Sequence, residues 1–270
     1  MTMDVFALDF DGVLCDSAGE SAVTSWRAGG RIWPEWQGLE PPENCKVRFV
    51  RLRPMVETGY QMTLLMKLIY DNVSDASILT DFLSLCDGLM STYNLTRKQL
   101  VDLFGQTRDE WIAQDSADWL SRHRFYPGVL TRFRDALGTH PVYILTTKQE
   151  RFTWQLLNAG GALMPRERIL GFEQNLSKGQ LLEKIMAEPS LHGAQIHFVE
   201  DRVETLFDLM KNPSLDGVYL YLADWGYNTP AQREQARRHP RVTVWTIDQF
   251  MHIPSPKPAK TLGGDKDLHP

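Results

Sequence analysis

Asp4-Val5-Phe6-Ala7-Leu8-Asp9-Phe10-Asp11-Gly12-Val13 opens the chain with a short apolar run that ends on two carboxylates. Val5 to Leu8 is apolar without strict alternation, the pattern of a parallel strand buried on both faces. Side-chain alternation sends Asp9 and Asp11 to the same side, and the carboxyl end of a strand in an open α/β sheet is where ligands bind. Two carboxylates so close repel each other, so a cation between or near them is expected. The competing reading is an aspartate-rich turn in which Gly12 supplies positive φ and Asp16 or Ser17 caps the next helix.

Further short apolar runs follow at Val142–Leu145, Ile169–Phe172, Ile196–Val199, Val218–Leu222 and Val242–Trp245. From residue 141 onward they alternate with helix-length segments at βαβ spacing, which predicts an α/β fold with a doubly wound, Rossmann-like parallel sheet. The first strand is separated from the second by a long interval that reads almost entirely as helix, through Tyr60–Ile69, then Ile78, Leu79, Phe82 and Leu83, then Leu100, Leu103, Phe104 and Trp111. Such an insertion forms its own small bundle over the end of the sheet. The expected division is a core of residues 1–16 and 126–250 with an all-helical cap of residues 17–125. Pro127-Gly128 marks the return, with proline in the first turn of a helix. Residues 254–270, rich in proline, glycine and lysine, read as a disordered tail.

Among 270 residues, 34 acids against 29 bases give a net charge of -5, which argues against a nucleic-acid or anionic-membrane surface. No apolar run approaches the roughly 20 residues of a membrane-spanning helix. Cys15, Cys45 and Cys86 show neither C-x-x-C spacing nor an even count, so a reducing, cytoplasmic setting is expected, an organelle remaining open. Nothing in the sequence sets the oligomeric state.

Three further elements fall at expected strand ends. Thr146-Thr147-Lys148 follows the second strand, placing hydroxyls and backbone N–H groups where a phosphate binds, although a strand-end threonine also serves as an ordinary helix cap. Lys178 follows Ser177, a helix N-cap, so a cation stands in the first helical turn, where the helix dipole disfavours it. Glu200-Asp201 ends the fourth run, with Glu204 one turn later; oxygen ligands of this kind suit magnesium, and helix-start acids are the alternative.

Taken in order, Asp-x-Asp-Gly-Val, strand-Thr, Lys and strand-Glu-Asp resemble the four motifs of the haloacid dehalogenase superfamily, and Phe125-Tyr126-Pro127-Gly128-Val129 is similar to its phosphoglycolate-phosphatase-like members. The resemblance implies a magnesium-dependent phosphatase acting on a small phosphorylated metabolite through an aspartyl-phosphate. Asp9 is then the nucleophile, Asp11 the general acid and base, Thr146 with Thr147 the phosphate holder, and Lys178 the neutralising cation. Magnesium is implied at Asp9, the Asp11 backbone carbonyl and Asp201. Glu200 stands where glycine is usual and no aspartate follows Asp201 by four residues, so either Glu200 or Glu204 supplies the remaining acid. The presence of Asp11 points to phosphoryl transfer rather than dehalogenation. A phosphomutase or phosphotransferase, or a binding protein that retains the fold, are the alternatives, and phosphoglycolate-like esters are the expected substrates.

Within the helical insertion, Arg48, Arg51 and Arg53 cluster in a segment that either receives an anionic leaving group or forms a solvated helix face. Trp26, Trp33, Trp36, Trp111 and Trp119 read as cap core. The histidines form no metal-ligand spacing.

Overall fold

A computed structural model describes residues 3–252; the predicted tail at 254–270 lies outside them. Six parallel strands form the main sheet: β1 (Asp4–Leu8), β2 (Val142–Leu145), β3 (Ile169–Leu170), β4 (Gln195–Glu200), β5 (Tyr219–Ala223) and β6 (Val242–Trp245). Their spatial order is β3-β2-β1-β4-β5-β6, so the winding reverses between β1 and β4. A crevice opens at such a switch point, beyond the carboxyl ends of the strands. Phe6 lies opposite Val142 on one side and His197 on the other, which sets the ends of β1, β2 and β4 at one level.

The lack of alternation in β1 has a direct cause. Phe6 and Leu8 pack with Val142, Ile144, Phe133 and Phe152 on one face, while Val5 and Ala7 pack with Tyr143, Leu145, Phe198 and Leu220 on the other. Both faces are covered, so every position must be apolar.

Five helices separate β1 from β2: α1 (Ala18–Gly29), α2 (Glu43–Leu52), α3 (Tyr60–Tyr70), α4 (Asp75–Thr92) and α5 (Arg97–Ser121). The chain leaves and re-enters the sheet through a two-rung antiparallel ribbon, Cys15–Asp16 against Arg124–Phe125. Trp26, Trp33 and Trp36 lie in a separate apolar cluster with Phe49, Leu64 and Phe104. Trp111 and Trp119, read from the sequence as cap core, instead join the sheet-side cluster with Phe152 and Val23. The remaining helices flank the sheet: α6 (Val129–Leu137), α7 (Glu150–Ala159), α8 (Lys178–Met186), α9 (Val203–Leu209), α10 (Pro230–Arg237) and α11 (Ile247–Met251). No helix among the described residues is long and apolar enough to cross a membrane.

Two local expectations are corrected. The run Ile169–Phe172 gives only two strand residues, because the Gly171 N–H donates to the Glu150 carboxylate at 3.0 Å and Phe172 begins a 3-10 turn. Pro127 lies ahead of α6 rather than in its first turn; the N-cap is Gly128, at a φ of 76°.

Candidate active site

Asp9 follows β1 and is buried, its Oδ1 accepting the Phe10 N–H at 2.8 Å and its Oδ2 lying 3.0 Å from Lys178 Nζ. Lys178 is the first residue of α8, fixed by a reciprocal capping box between Ser177 and Gln180. Its ammonium also bonds Glu200, whose other oxygen accepts the Arg202 N–H at 3.1 Å. A lysine in a first helical turn thus faces two buried carboxylates, and their charge outweighs burial and raises its pKa.

Asp201 follows β4. Its Oδ2 accepts the Tyr227 N–H at 2.6 Å, while Asn228 holds the Asp201 carbonyl at 2.8 Å. Gly12, at a φ of 89°, passes so close that a Cβ there would stand 1.9 Å from Asp201 Oδ2; a Cβ at Gly226 would stand 2.3 Å from the Asp201 Cβ. Glycine is required at both positions by approach, and at Gly12 also by backbone conformation.

Carboxylate oxygens of Asp9, Glu200 and Asp201 lie within 4.8 Å of one another. Burial pushes the first two up to about 7 and Asp201 up to about 6, and the neighbouring acids add to the rise. Three buried carboxylates with one lysine leave an excess of negative charge on hard oxygen donors, and that donor set fits magnesium. Glu204 stands apart from the cluster, exposed and bonded to Gln232 at 2.6 Å.

Asp11 has a different environment. Lys148 Nζ lies 3.0 Å from each of its carboxylate oxygens, and the Ser17 hydroxyl donates to Oδ1 at 2.6 Å. Burial acts to raise its pKa, but Lys148 and Ser17 overcome burial and hold the carboxyl below its usual range. Ser17 is therefore not the side-chain cap anticipated from its position; Asp16 takes that role, accepting the Ala18 N–H at 3.0 Å. Thr146 is buried, and its Oγ1 accepts the Lys148 N–H at 3.1 Å, which leaves the hydroxyl proton free to donate. Thr147 is exposed and its hydroxyl reaches the Glu57 carbonyl at 3.4 Å.

These loops converge on one cavity of about 570 Å³, lined by Asp9, Asp11, Thr146, Thr147, Lys178 and Asp201. Arg53 also lines it. Its guanidinium is buried 4.3 Å over the Tyr227 ring, with Nη1 donating to the Val56 carbonyl at 3.0 Å. Arg48 and Arg51 do not reach the cavity. Both pair with Asp75 at the start of α4, and Arg48 adds bonds to the Ile69 and Val73 carbonyls, so they join helices to one another. Arg53 differs because α2 ends before it and Pro54 follows, which turns the chain toward the sheet.

Sequence reasoning missed Lys148, Ser17 and Tyr227. It also missed a buried network in which Arg108 of α5 donates to Glu20 of α1 at 2.8 and 2.6 Å. Thr24 and Trp119 donate to the same carboxylate, and His123 stands 3.7 Å away. The available signal was a lysine two residues beyond a strand-end threonine, and an acid in an otherwise apolar first turn.

No protein-family model matches the chain, and no curated protein matches it. Solved structures do. A predicted phosphatase from Clostridium acetobutylicum is 15% identical with a TM-score of 0.58, over 93% of this chain and 97% of that one. A predicted phosphoglycolate phosphatase from Haemophilus somnus 129pt is 16% identical with a TM-score of 0.56, over 93% and 96%. A haloacid dehalogenase-like family hydrolase from Streptococcus pneumoniae is 13% identical with a TM-score of 0.52, over 90% and 93%. At such identities the likeness is one of backbone. The chain has the fold of the haloacid dehalogenase-like hydrolases, a doubly wound sheet with a helical insertion after its first strand.

Proposed function

We propose that the protein is a magnesium-dependent phosphatase that hydrolyses phosphate monoesters through an aspartyl-phosphate on Asp9, with residues 17–125 acting as its cap. The observation that supports this most strongly is the convergence of Asp9, Asp11, Thr146, Lys178 and Asp201, from four separate strand-end loops, on a single cavity. Scattered acids and a stray lysine have no reason to meet there.

Asp9 Oδ forms a bond to phosphorus while the bond from phosphorus to the ester oxygen breaks, and that oxygen takes the proton carried by Asp11 in its acid form. Water then attacks phosphorus, Asp11 accepts the water proton, and inorganic phosphate leaves with Asp9 restored. The two halves make opposite demands on Asp11, and Lys148 with Ser17 favours the second by holding it ionised. Lys178 offsets the charge of Asp9 as the phosphoryl group approaches, and the free Thr146 proton is placed to donate to a phosphoryl oxygen. Asp9 and Asp201, with Glu200 beside them, would hold the magnesium, which when bound neutralises charge on the phosphoryl oxygens. Glu200, bonded to Lys178 and the Arg202 N–H, also positions the lysine.

The test is phosphate release from p-nitrophenyl phosphate with and without magnesium, by wild type and Asp9→Asn. An amide cannot attack phosphorus, so turnover should vanish while the thermal unfolding transition is kept. Retained turnover above a few per cent in the folded variant would remove Asp9 from the chemistry.

A further inference from the structure

A second cavity, of about 530 Å³, also has Asp11 on its lining. The two share Asp11, Arg53, Glu57, Thr58, Thr147 and Phe172, so they adjoin, with Asp11 on both linings. Asp9 and Lys178 line only the first; Tyr60, Met62, Val101 and Phe104 line only the second. An ester whose phosphorus lies against Asp9 and whose bridging oxygen lies near Asp11 has this second chamber open to its alcohol on the Asp11 side.

The chamber's walls are apolar where an alcohol would lie. Tyr60 and Met62 from α3 and Phe104 from α5 are buried, Val101 is partly buried, and Phe172 closes the side formed by the sheet. Three of the cations on its lining are paired with carboxylates: Arg108 with Glu20, Lys98 with Asp102, and Lys148 with Asp11. Arg97 stacks 5.2 Å over the Tyr60 ring. A two-carbon acid such as glycolate would leave most of this volume and its apolar walls unfilled. Pockets of 300–1,000 Å³ with apolar walls and few polar groups suit a ligand with a sizeable carbon body.

We infer that the substrate is a phosphate monoester of a bulky, apolar-bodied alcohol, whose carbon frame lies against Tyr60, Met62, Val101, Phe104 and Phe172. This rests on the phosphatase reading of the site and replaces the phosphoglycolate-like ester expected from sequence.

Straight-chain alkyl phosphates separate size from leaving-group chemistry, because their alcohols have nearly equal acidity. With magnesium present, kcat/KM by phosphate release should rise about fourfold per methylene from ethyl to hexyl phosphate, the factor given by burial of each CH₂. The matching alkylphosphonates, which are not hydrolysed, should show the same gain in Kd by calorimetry. Phe172→Asp, on an exposed turn, and Val101→Asp should each cut the ethyl-to-hexyl gain at least tenfold, whereas Leu79→Asp, on the outer face of α4, should keep it. Turnover that is flat or falls with chain length, with phosphoglycolate preferred, would overturn the inference and leave the phosphatase reading intact. A phosphonate gain without turnover of any ester would do the reverse. A gain that survives both wall variants would show that the alcohol lies elsewhere.

Discussion

The Glu20–Arg108 pair allows a worked test of what joins the helices nearest the site. Glu20 is fully buried and its partner's side chain is 7% exposed. Glu20→Met strands a guanidinium away from water and removes two acceptors from Arg108, with those of Thr24 and Trp119. Breaking a buried pair in this way costs about 3–5 kcal/mol, a large part of the roughly 5–15 kcal/mol that holds a domain folded. Arg108→Met should cost a similar amount for the mirror reason. The double variant leaves neither charge and fills the space with two apolar chains, so it should recover most of the loss, because replacing a whole buried pair is often close to neutral. Urea unfolding followed by tryptophan fluorescence reads all four proteins, with Trp119 in direct contact with the pair. If the single costs add in the double variant within about 0.5 kcal/mol, the residues are independent and the pairing does not stabilise the fold.

Burial pushes the His123 imidazole down to about 4 even beside Glu20. Between about pH 6.5 and 4 the unfolded chain therefore binds a proton that the folded chain refuses, and stability falls as pH falls through that window. His123→Phe should flatten the fall relative to wild type in urea midpoints measured across those pH values. Lys148→Met removes the group that holds Asp11 ionised, so the acid limb of the pH profile of kcat should move to higher pH; an unmoved limb would detach Lys148 from the titrating base. Arg53→Ala should raise KM for phosphate monoesters about tenfold or more, the worth of a charged hydrogen bond, in protein that still shows a cooperative unfolding transition. A loss confined to kcat would place Arg53 in the chemical step instead.

The strands were legible because a sheet covered on both faces leaves no freedom in composition: Val5 to Leu8 and Val142 to Leu145 had to be apolar throughout. Lys178 was legible because it breaks a helix-start rule, and a broken rule marks a paid constraint. Lys148 broke none. Its partner Asp11 follows the neighbouring strand but lies 137 residues away in the chain, so beyond its place after a strand-end threonine nothing local set it apart from a solvated lysine. The arginines show the limit from the other side, since Arg48, Arg51 and Arg53 read alike in a row. Only the end of α2 and the place of Asp75 separate two helix ties from a residue of the cavity. Chamber walls such as Met62 and Phe104 look like any core residue in sequence, because a lining and a core follow the same helical periodicity.

Gly12 and Gly226 come from opposite ends of the chain and close on Asp201 from two sides, each leaving no room for a methyl group. Their tolerance to substitution is therefore not independent. A side chain at either position must displace the same aspartate, so a change at one cannot be compensated at the other. A smaller residue at position 201 removes the acid and still leaves a Cβ at Gly226 2.4 Å from the Gly12 carbonyl oxygen. The three positions therefore form one contact, in which the backbone at 12, the backbone at 226 and the side chain at 201 each set the room left for the other two.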